Sequence, residues 1–293
     1  MILHIIIIIG AYYIGVDSTM LFGGMCLAGK ACSMSSGYDP LEVTERVYAR
    51  VSRVRDGIEE RLYFRFRKDR WYGGIASADV IGCNLSCRFC WGWYFRDDLR
   101  RGKWYDPCRV AEKLIYMADR YRLKYIRLTG AEPTITRRHL VSVIEYVTDH
   151  GYHFILETNG ILIGAYPDYA EELSKYSRLI IRVSFKGVTP DEFHYLTGAR
   201  RDAWYLQLKA LENLLEHGLK PGDQVYPAAM IGWSSDEDIE WFLEKLRTIH
   251  PALTEVDWEY VILYRHVVKL LRKTGLWPPR RYVYPGKIPE EMI

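Results

Sequence analysis

The sequence predicts an α/β protein built as a partial (βα)6 TIM-like barrel, a parallel sheet with its active site at the C-terminal ends of the strands. Three observations carry this. From Ile75 onward, strand-length apolar runs alternate with amphipathic helical segments, the signature of a parallel sheet. At 293 residues the chain suits one large α/β domain or two small ones. Polar motifs follow four successive strands, at Cys83, Gly130–Pro133, Thr158–Gly160 and Lys186, where barrel enzymes build their sites.

Residues 1–40 are an apolar tail. Ile2–Val16 is broken only by His4, is shorter than the ~20 residues that span a bilayer, and lacks the basic start of a signal peptide. It reads as a membrane anchor or as an extension ahead of a start at Met20, Met25 or Met34. The second reading is adopted, with no stable membrane association expected. Residues 41–74 form an N-terminal extension. Residues 41–60 read as a helix, with Val43, Val47, Val51 and Val54 at helical spacing. "RLYFRFR" alternates as a half-buried strand, with Leu62, Phe64 and Phe66 on one face and Arg61, Tyr63, Arg65 and Arg67 on the other.

The barrel spans 75–275. Its strands are Ile75–Ile81, "YIRLTG", "HFILETNG", "LIIRVSFKG", "QVYPAAMIG" and "VDWEYVIL". Between them, helices run from Pro107 to about Arg122, Arg137–His150, Tyr169–Tyr176, Ala203–His217 and Asp236–Ile249, and Arg265–Lys273 follows the last strand. Proline opens the first of these helices, and Gly151 and Gly218 close others. A Pro-rich tail occupies 276–293.

Net charge is +3 and the pI about 8.4, so composition alone does not point to nucleic acid. Six cysteines are too few for a disulfide scaffold, and three of them share one short stretch. That pattern predicts metal ligation in a reducing compartment, hence a cytoplasmic protein. Three Asn and two Gln are few for this length, a tendency of thermophilic proteins.

"CNLSCRFCW" holds Cys83, Cys87 and Cys90. Thiolates suit iron–sulfur clusters or zinc. A [4Fe–4S] cluster normally takes four thiolates, so three leave one iron open, and an open metal position generally receives substrate or water. A structural zinc would need a fourth ligand, for which His139, His150 and His153 are the candidates.

Cys83-Asn-Leu-Ser-Cys87-Arg-Phe-Cys90 resembles the CxxxCxΦC signature of the radical S-adenosylmethionine (radical SAM) superfamily, with Phe89 at its aromatic position. Gly130-Ala131-Glu132-Pro133 resembles the family's GGEP motif, departing from it at Ala131. Glu157-Thr158-Asn159-Gly160 resembles its ETNG turn. Ser184-Phe185-Lys186-Gly187 resembles a strand end of the pyruvate formate-lyase activating enzymes and their archaeal relatives.

The resemblance implies that Cys83, Cys87 and Cys90 hold a [4Fe–4S] cluster whose fourth iron is chelated by SAM. It also implies that the reduced cluster cleaves SAM to a 5′-deoxyadenosyl radical, which takes hydrogen from a substrate. The cofactor carries this chemistry and the protein positions it. Phe89 and Met230 are then expected near adenine, and the backbone of Gly130, Ala131, Glu132 and Pro133 near the SAM amino group, with the Glu132 side chain bracing that loop. Glu157, Thr158 and Asn159 are expected near ribose, the SAM carboxylate or a cation. Arg182, Ser184 and Lys186, which alternate onto one strand face, are expected to point at SAM.

The family implies an electron donor such as ferredoxin or flavodoxin. No Cys follows Cys108, so no C-terminal auxiliary cluster with cysteine ligands is expected; Cys26, Cys32 and Cys108 would need a further ligand to hold one. Three functions compete. One is an oxidoreductase of the glycyl-radical-activase type, acting on a partner protein. The second is an RNA-modifying enzyme resembling those of wybutosine synthesis, with Arg61–Arg70 and "RDDLRRGKWY" as its phosphate-binding rim. The bland reading of those two stretches is a solvated strand face and a loop that caps the cluster. The third function is a non-catalytic iron–sulfur or zinc protein that binds nucleic acid.

Overall fold

A computed structural model describes residues 37–290. The expectations placed on residues 1–36, Cys26 and Cys32 among them, fall outside these residues.

The described chain opens with α1 (Pro40–Val51), capped by the Asp39 carboxylate, which accepts from Leu41 N. The predicted helix over 41–60 is therefore too long. Asp56 and Gly57 both take positive φ, the requirement of a tight two-residue hairpin turn. That turn joins β1 (Ser52–Arg55) to β2 (Ile58–Asp69), so Val54 lies in an exposed strand.

β3 (Ile75–Val80) pairs antiparallel with β2. After it come α2 (Trp93–Arg96) and β4 (Lys103–Tyr105), and β4 also pairs with β2. The repeating units follow: α3 (Pro107–Tyr121), β5 (Tyr125–Thr129), α4 (Arg137–Asp149) and β6 (His153–Thr158). Two short helices, α5 (Ile161–Ala165) and α6 (Pro167–Leu173), replace the single one expected, since Pro167 opens a new helix. Then come β7 (Leu179–Phe185), α7 (Pro190–Thr197), α8 (Trp204–Glu216), β8 (Val225–Met230) and α9 (Asp236–Ile249).

The last predicted strand is broken in two. β9 (Asp257–Glu259) pairs with β8, whereas β10 (Val261–Ile262) leaves the sheet and pairs with β11 (Tyr282–Val283), beyond α10 (Arg265–Thr274).

Strands β3, β5, β6, β7, β8 and β9 lie side by side in parallel. Among the described residues β9 pairs with β8 alone in this sheet, leaving a partial barrel. Its outer face is packed under helices by Ala78, Val80, Ile126, Leu128, Leu156, Ile181 and Val183, all buried.

β2 carries the largest departure from simple alternation. Tyr63 pairs with Val80 and Arg65 with Asp79, so Phe64 is a bulge. A bulge re-aims the residues beyond it. Before it, Arg61 and Tyr63 turn to the helix layer, where the Tyr63 hydroxyl meets His139 Nε2 on α4. After it, Arg65 and Arg67 turn to the barrel interior and pair with Asp79. The four residues do not share a solvated face, and Arg61 is 1% exposed. Its guanidinium donates to the carbonyls of Ile81 (3.2 Å), Glu132 (2.7 Å) and Pro133 (3.1 Å) and to Thr136 Oγ1 (2.6 Å). One buried cation thus joins the end of β3 to the loop after β5. Arg61→Met should orphan these acceptors and destabilise the fold by about 3 kcal/mol, read as a lower urea midpoint at unchanged slope.

Candidate active site

The loops after the parallel strands enclose a cavity of about 690 Å³. Cys83, Cys87, Phe89 and Cys90 line it, with Gly130, Ala131 and Glu132 after β5 and Glu157, Thr158 and Asn159 at the end of β6. Arg182, Ser184, Lys186 and Met230 line it from β7 and β8. Pro133 is buried just behind, as the first residue of a 3-10 turn.

The cysteine loop is held at several points. Glu132 N donates to Gly82 O, and Arg88 N donates to Leu196 O. The Tyr38 hydroxyl accepts from Ser86 N and donates to Thr197 O. Asn84 is fully buried; its Nδ2 donates to Thr44 Oγ1 and its Oδ1 accepts from Asn159 Nδ2 (2.7 Å). Asn84 was not singled out by sequence, and its position inside "CNLSC" was the available signal.

Glu132 is 2% exposed. Oε1 accepts from Thr134 N, Thr134 Oγ1 and Thr158 Oγ1, and Oε2 accepts from Asn159 N (2.8 Å). This carboxylate thus fastens the loop after β5 to the turn after β6. Gly130 has φ +96°, and a Cβ there would lie 2.9 Å from Asp79 Cα, so a larger residue is excluded. Ala131 is not among the residues with positive φ, so its methyl group imposes no backbone strain.

The barrel interior is charged. Asp79 accepts from Arg65 and Arg67, and Asp69 from Arg127 and Arg67. Glu157 accepts from Arg127 (2.5 Å), Thr129 Oγ1 (2.6 Å) and Tyr72 OH (2.8 Å). Arg182, Ser184 and Lys186 share one face, and all three donate to Glu259. Arg182 also donates to Asp257 (2.7 Å). Asp257 and Glu259 were missed in the sequence, although their alternation in "VDWEY" places them on one strand face. Arg182 is therefore a paired cation.

Burial works to raise the Glu157 pKa, but Arg127 and Arg182 overcome it and hold the carboxyl at about 2. For Glu259 burial is likewise outweighed, by Lys186 and Arg182, to about 2. Burial opposes the charge on Lys186, and Glu259 more than compensates. Cys83 and Cys87 move the other way. Burial, then Glu132 and Cys87, raise Cys83, with Arg96 opposing; burial, then Cys90, push Cys87 up to about 12, with Lys186 and Arg96 opposing. Thiols in such surroundings ionise when a metal takes the proton's place.

The histidines considered as a fourth zinc ligand lie elsewhere. His139 is buried on α4, with Nδ1 on Glu59 O and Nε2 on the Tyr63 hydroxyl. His150 bonds Tyr146 O at the end of α4. His153 begins β6, at the end of the sheet away from the cysteines. Among the described residues no three His, Cys, Asp or Glu side chains converge on a single metal ion. The donor set fits a cubic cluster, in which each iron takes its own thiolate and the sulfurs need not meet at one point. Cys83, Cys87 and Cys90 are free thiols on one loop facing one cavity.

A family model described as "Radical SAM superfamily" matches residues 80–246. This chain belongs to the radical SAM superfamily. The match begins at the last residue of β3 and takes in the cysteine loop and each strand through β8. A GTP 3′,8-cyclase of Syntrophomonas wolfei is 31% identical over 169 residues, covering 56% of this chain and 48% of the cyclase. A 7-carboxy-7-deazaguanine synthase of Hyperthermus butylicus is 33% identical over 142 residues, covering 45% of this chain and 56% of the synthase. The chain spans about half the length of such curated relatives. The structure of Streptococcus suis SuiB bound to precursor peptide SuiA aligns with a TM-score of 0.50 at 18% identity, over 72% of this chain and 48% of that one. This last likeness speaks for the fold alone.

Membership in the superfamily implies a [4Fe–4S] cluster, SAM and a reductant. Among the described residues no helix is long and apolar enough to cross a membrane.

The depressed carboxyl pKa values set a pH dependence. Glu157 and Glu259 stabilise the fold fully above their ordinary pKa of 4.5, and that contribution is lost as pH falls toward 2. Urea denaturation between about pH 6 and about pH 3 should show a steep loss of stability. Glu157→Gln and Glu259→Gln should each be less stable at the upper end and show a shallower pH slope.

Proposed function

We propose that Cys83, Cys87 and Cys90 hold a [4Fe–4S] cluster, and that the cavity beside them binds SAM and the reacting part of a substrate. The observation that carries this is the convergence of three free thiols on the cavity formed by the ends of β5, β6, β7 and β8. When bound and reduced, the cluster supplies the electron that cleaves SAM to a 5′-deoxyadenosyl radical, which removes hydrogen from the substrate.

The chain's own residues bind and orient. Gly130 and Ala131 leave room for a close backbone approach, and Glu132 keeps their loop against the turn at Thr158 and Asn159. Phe89 and Met230 lie in one apolar cluster with Leu196, Val261 and Val267, a surface suited to a flat ring such as adenine. Ser184 and Lys186 face the same cavity, with Lys186 held protonated beside Glu259. Its ammonium suits a carboxylate.

The substrate is a small molecule, or a single residue inserted into the cavity. Pairing of Arg65 and Arg67 with carboxylates supports this over an RNA laid across the rim. Arg65 and Arg67, which would contact phosphates in the RNA-modifying reading, are engaged by Asp79 and Asp69. Removing hydrogen from a glycine of a partner protein belongs to this class. So does reaction on a free heterocycle, as the names of the cyclase and synthase relatives suggest.

The protein reconstituted anaerobically with iron and sulfide should hold about four irons per chain and form 5′-deoxyadenosine from SAM and dithionite. Cys87→Ala should lose both the brown colour and the product. A wild-type protein that forms no 5′-deoxyadenosine defeats the enzyme reading. Deuterium carried into 5′-deoxyadenosine from deuterated host-extract fractions would identify the fraction that contains the substrate.

A further inference from the structure

The segment after the cysteines, Arg96–Tyr105, carries four basic side chains. Arg100 and Arg101 lie outside, 90% and 48% exposed, and pair with Asp98. Lys103 is exposed. Arg96 alone turns inward, with its side chain 12% exposed.

Arg96 ends α2, and its backbone is fixed above the cysteine loop. Its carbonyl accepts from Gly82 N (2.9 Å), and its N–H donates to Gly92 O (2.8 Å). One edge of the guanidinium, Nε and Nη2, forks onto the Asp97 carboxylate. The other nitrogen, Nη1, is buried without a partner. Among the described residues four other buried side-chain atoms also lack partners, on Arg61, Arg200, Gln207 and Asn213. None of those residues lines the cavity, and Arg96 does. A buried donor on a charged group is costly to leave unmet, so the geometry calls for an acceptor on the cavity side. Cys83, Cys87 and Cys90 line the same cavity as Arg96, and the Arg96 carbonyl is bonded to Gly82 N, the residue before Cys83.

We propose that Arg96 Nη1 donates a hydrogen bond to a sulfur of the cluster held by Cys83, Cys87 and Cys90, and that this contact raises the cluster's reduction potential. The inference rests on the cluster assignment made above. Reduction adds one electron, from the external reductant, to a centre already carrying three thiolates. A fixed cation with a hydrogen bond to sulfur stabilises that added charge more than the oxidised state. Asp97, 59% exposed, orients the guanidinium from the solvent side. SAM is a competing acceptor, and the two are separable because the cluster can be titrated without it.

The test is a redox titration monitored by electron paramagnetic resonance, on the anaerobically reconstituted protein without SAM. Wild type, Arg96→Gln and Arg96→Lys are compared at measured iron and sulfide content. At the wild-type midpoint the ratio of reduced to oxidised cluster in Arg96→Gln should be at least tenfold lower, equal to about 59 mV for one electron. Arg96→Lys, which keeps the charge but loses the planar fork, should fall between them. A fully loaded Arg96→Gln protein with the wild-type midpoint overturns the proposal, and weaker SAM binding in that variant would then move the contact to SAM. If Arg96→Gln loses iron, Arg96→Lys carries the test, and an unshifted midpoint in it overturns the proposal. Loss of iron in both variants overturns it in favour of a folding role. A wild-type protein that holds no four-iron cluster overturns the cluster assignment, and this inference with it.

Discussion

Charge buried inside a half-open barrel must be matched, and the rest of this site depends on that constraint. Five cations, Arg65, Arg67, Arg127, Arg182 and Lys186, meet five carboxylates, Asp69, Asp79, Glu157, Asp257 and Glu259, across the interior faces of the strands. Removing one partner of such a set leaves a buried charge uncompensated. The pairs cross between strands: Arg127 on β5 reaches Glu157 on β6, and Arg182 on β7 reaches Glu259 on β9. Strand register and charge balance therefore fix each other.

A second layer of polar contacts sits above this interior and ties the loops together. Arg61 joins the end of β3 to the loop after β5, Glu132 joins that loop to the turn after β6, and Asn159 joins the turn to the cysteine loop through Asn84. Each contact satisfies backbone or side-chain groups that the curvature of the loops would otherwise bury unpaired. Thr158 and Asn159, read from the sequence as cofactor contacts, have protein partners of this kind while still lining the cavity. Rigid support for a cofactor-binding loop and direct contact with the cofactor draw on the same polar residue types, and a motif alone does not separate them.

The cysteine loop is thus held by the loop after β5 through Glu132 N, by the turn after β6 through Asn159 and by the end of α7 through Leu196 O. Burial favours the protonated form of Cys83 and Cys87, yet Arg96 opposes that tendency at both, joined by Lys186 at Cys87. Such surroundings favour a metal centre that supplies positive charge of its own. Phe89, on this loop, and Met230, at the end of β8, belong to one apolar cluster and both line the cavity.

Local pattern determined much of this protein from the sequence alone. The βα alternation gave the six parallel strands, because each strand and helix announces itself by its own hydrophobic period. The three cysteines and the strand-end motifs fell at one end of the sheet for the same reason. Tertiary structure decided what depends on pairing across distance. The bulge at Phe64 reverses the face of β2, so Arg61 serves the helix layer while Arg65 and Arg67 enter the barrel. The break after Glu259 sends β10 to pair with β11. The partners of Arg182 lie 75 and 77 residues away, and Arg96 turned inward while its neighbours Arg100 and Arg101 did not. Periodicity says which face a residue shares with its neighbours in the chain; where a charge finds its partner is settled only when distant strands are brought side by side.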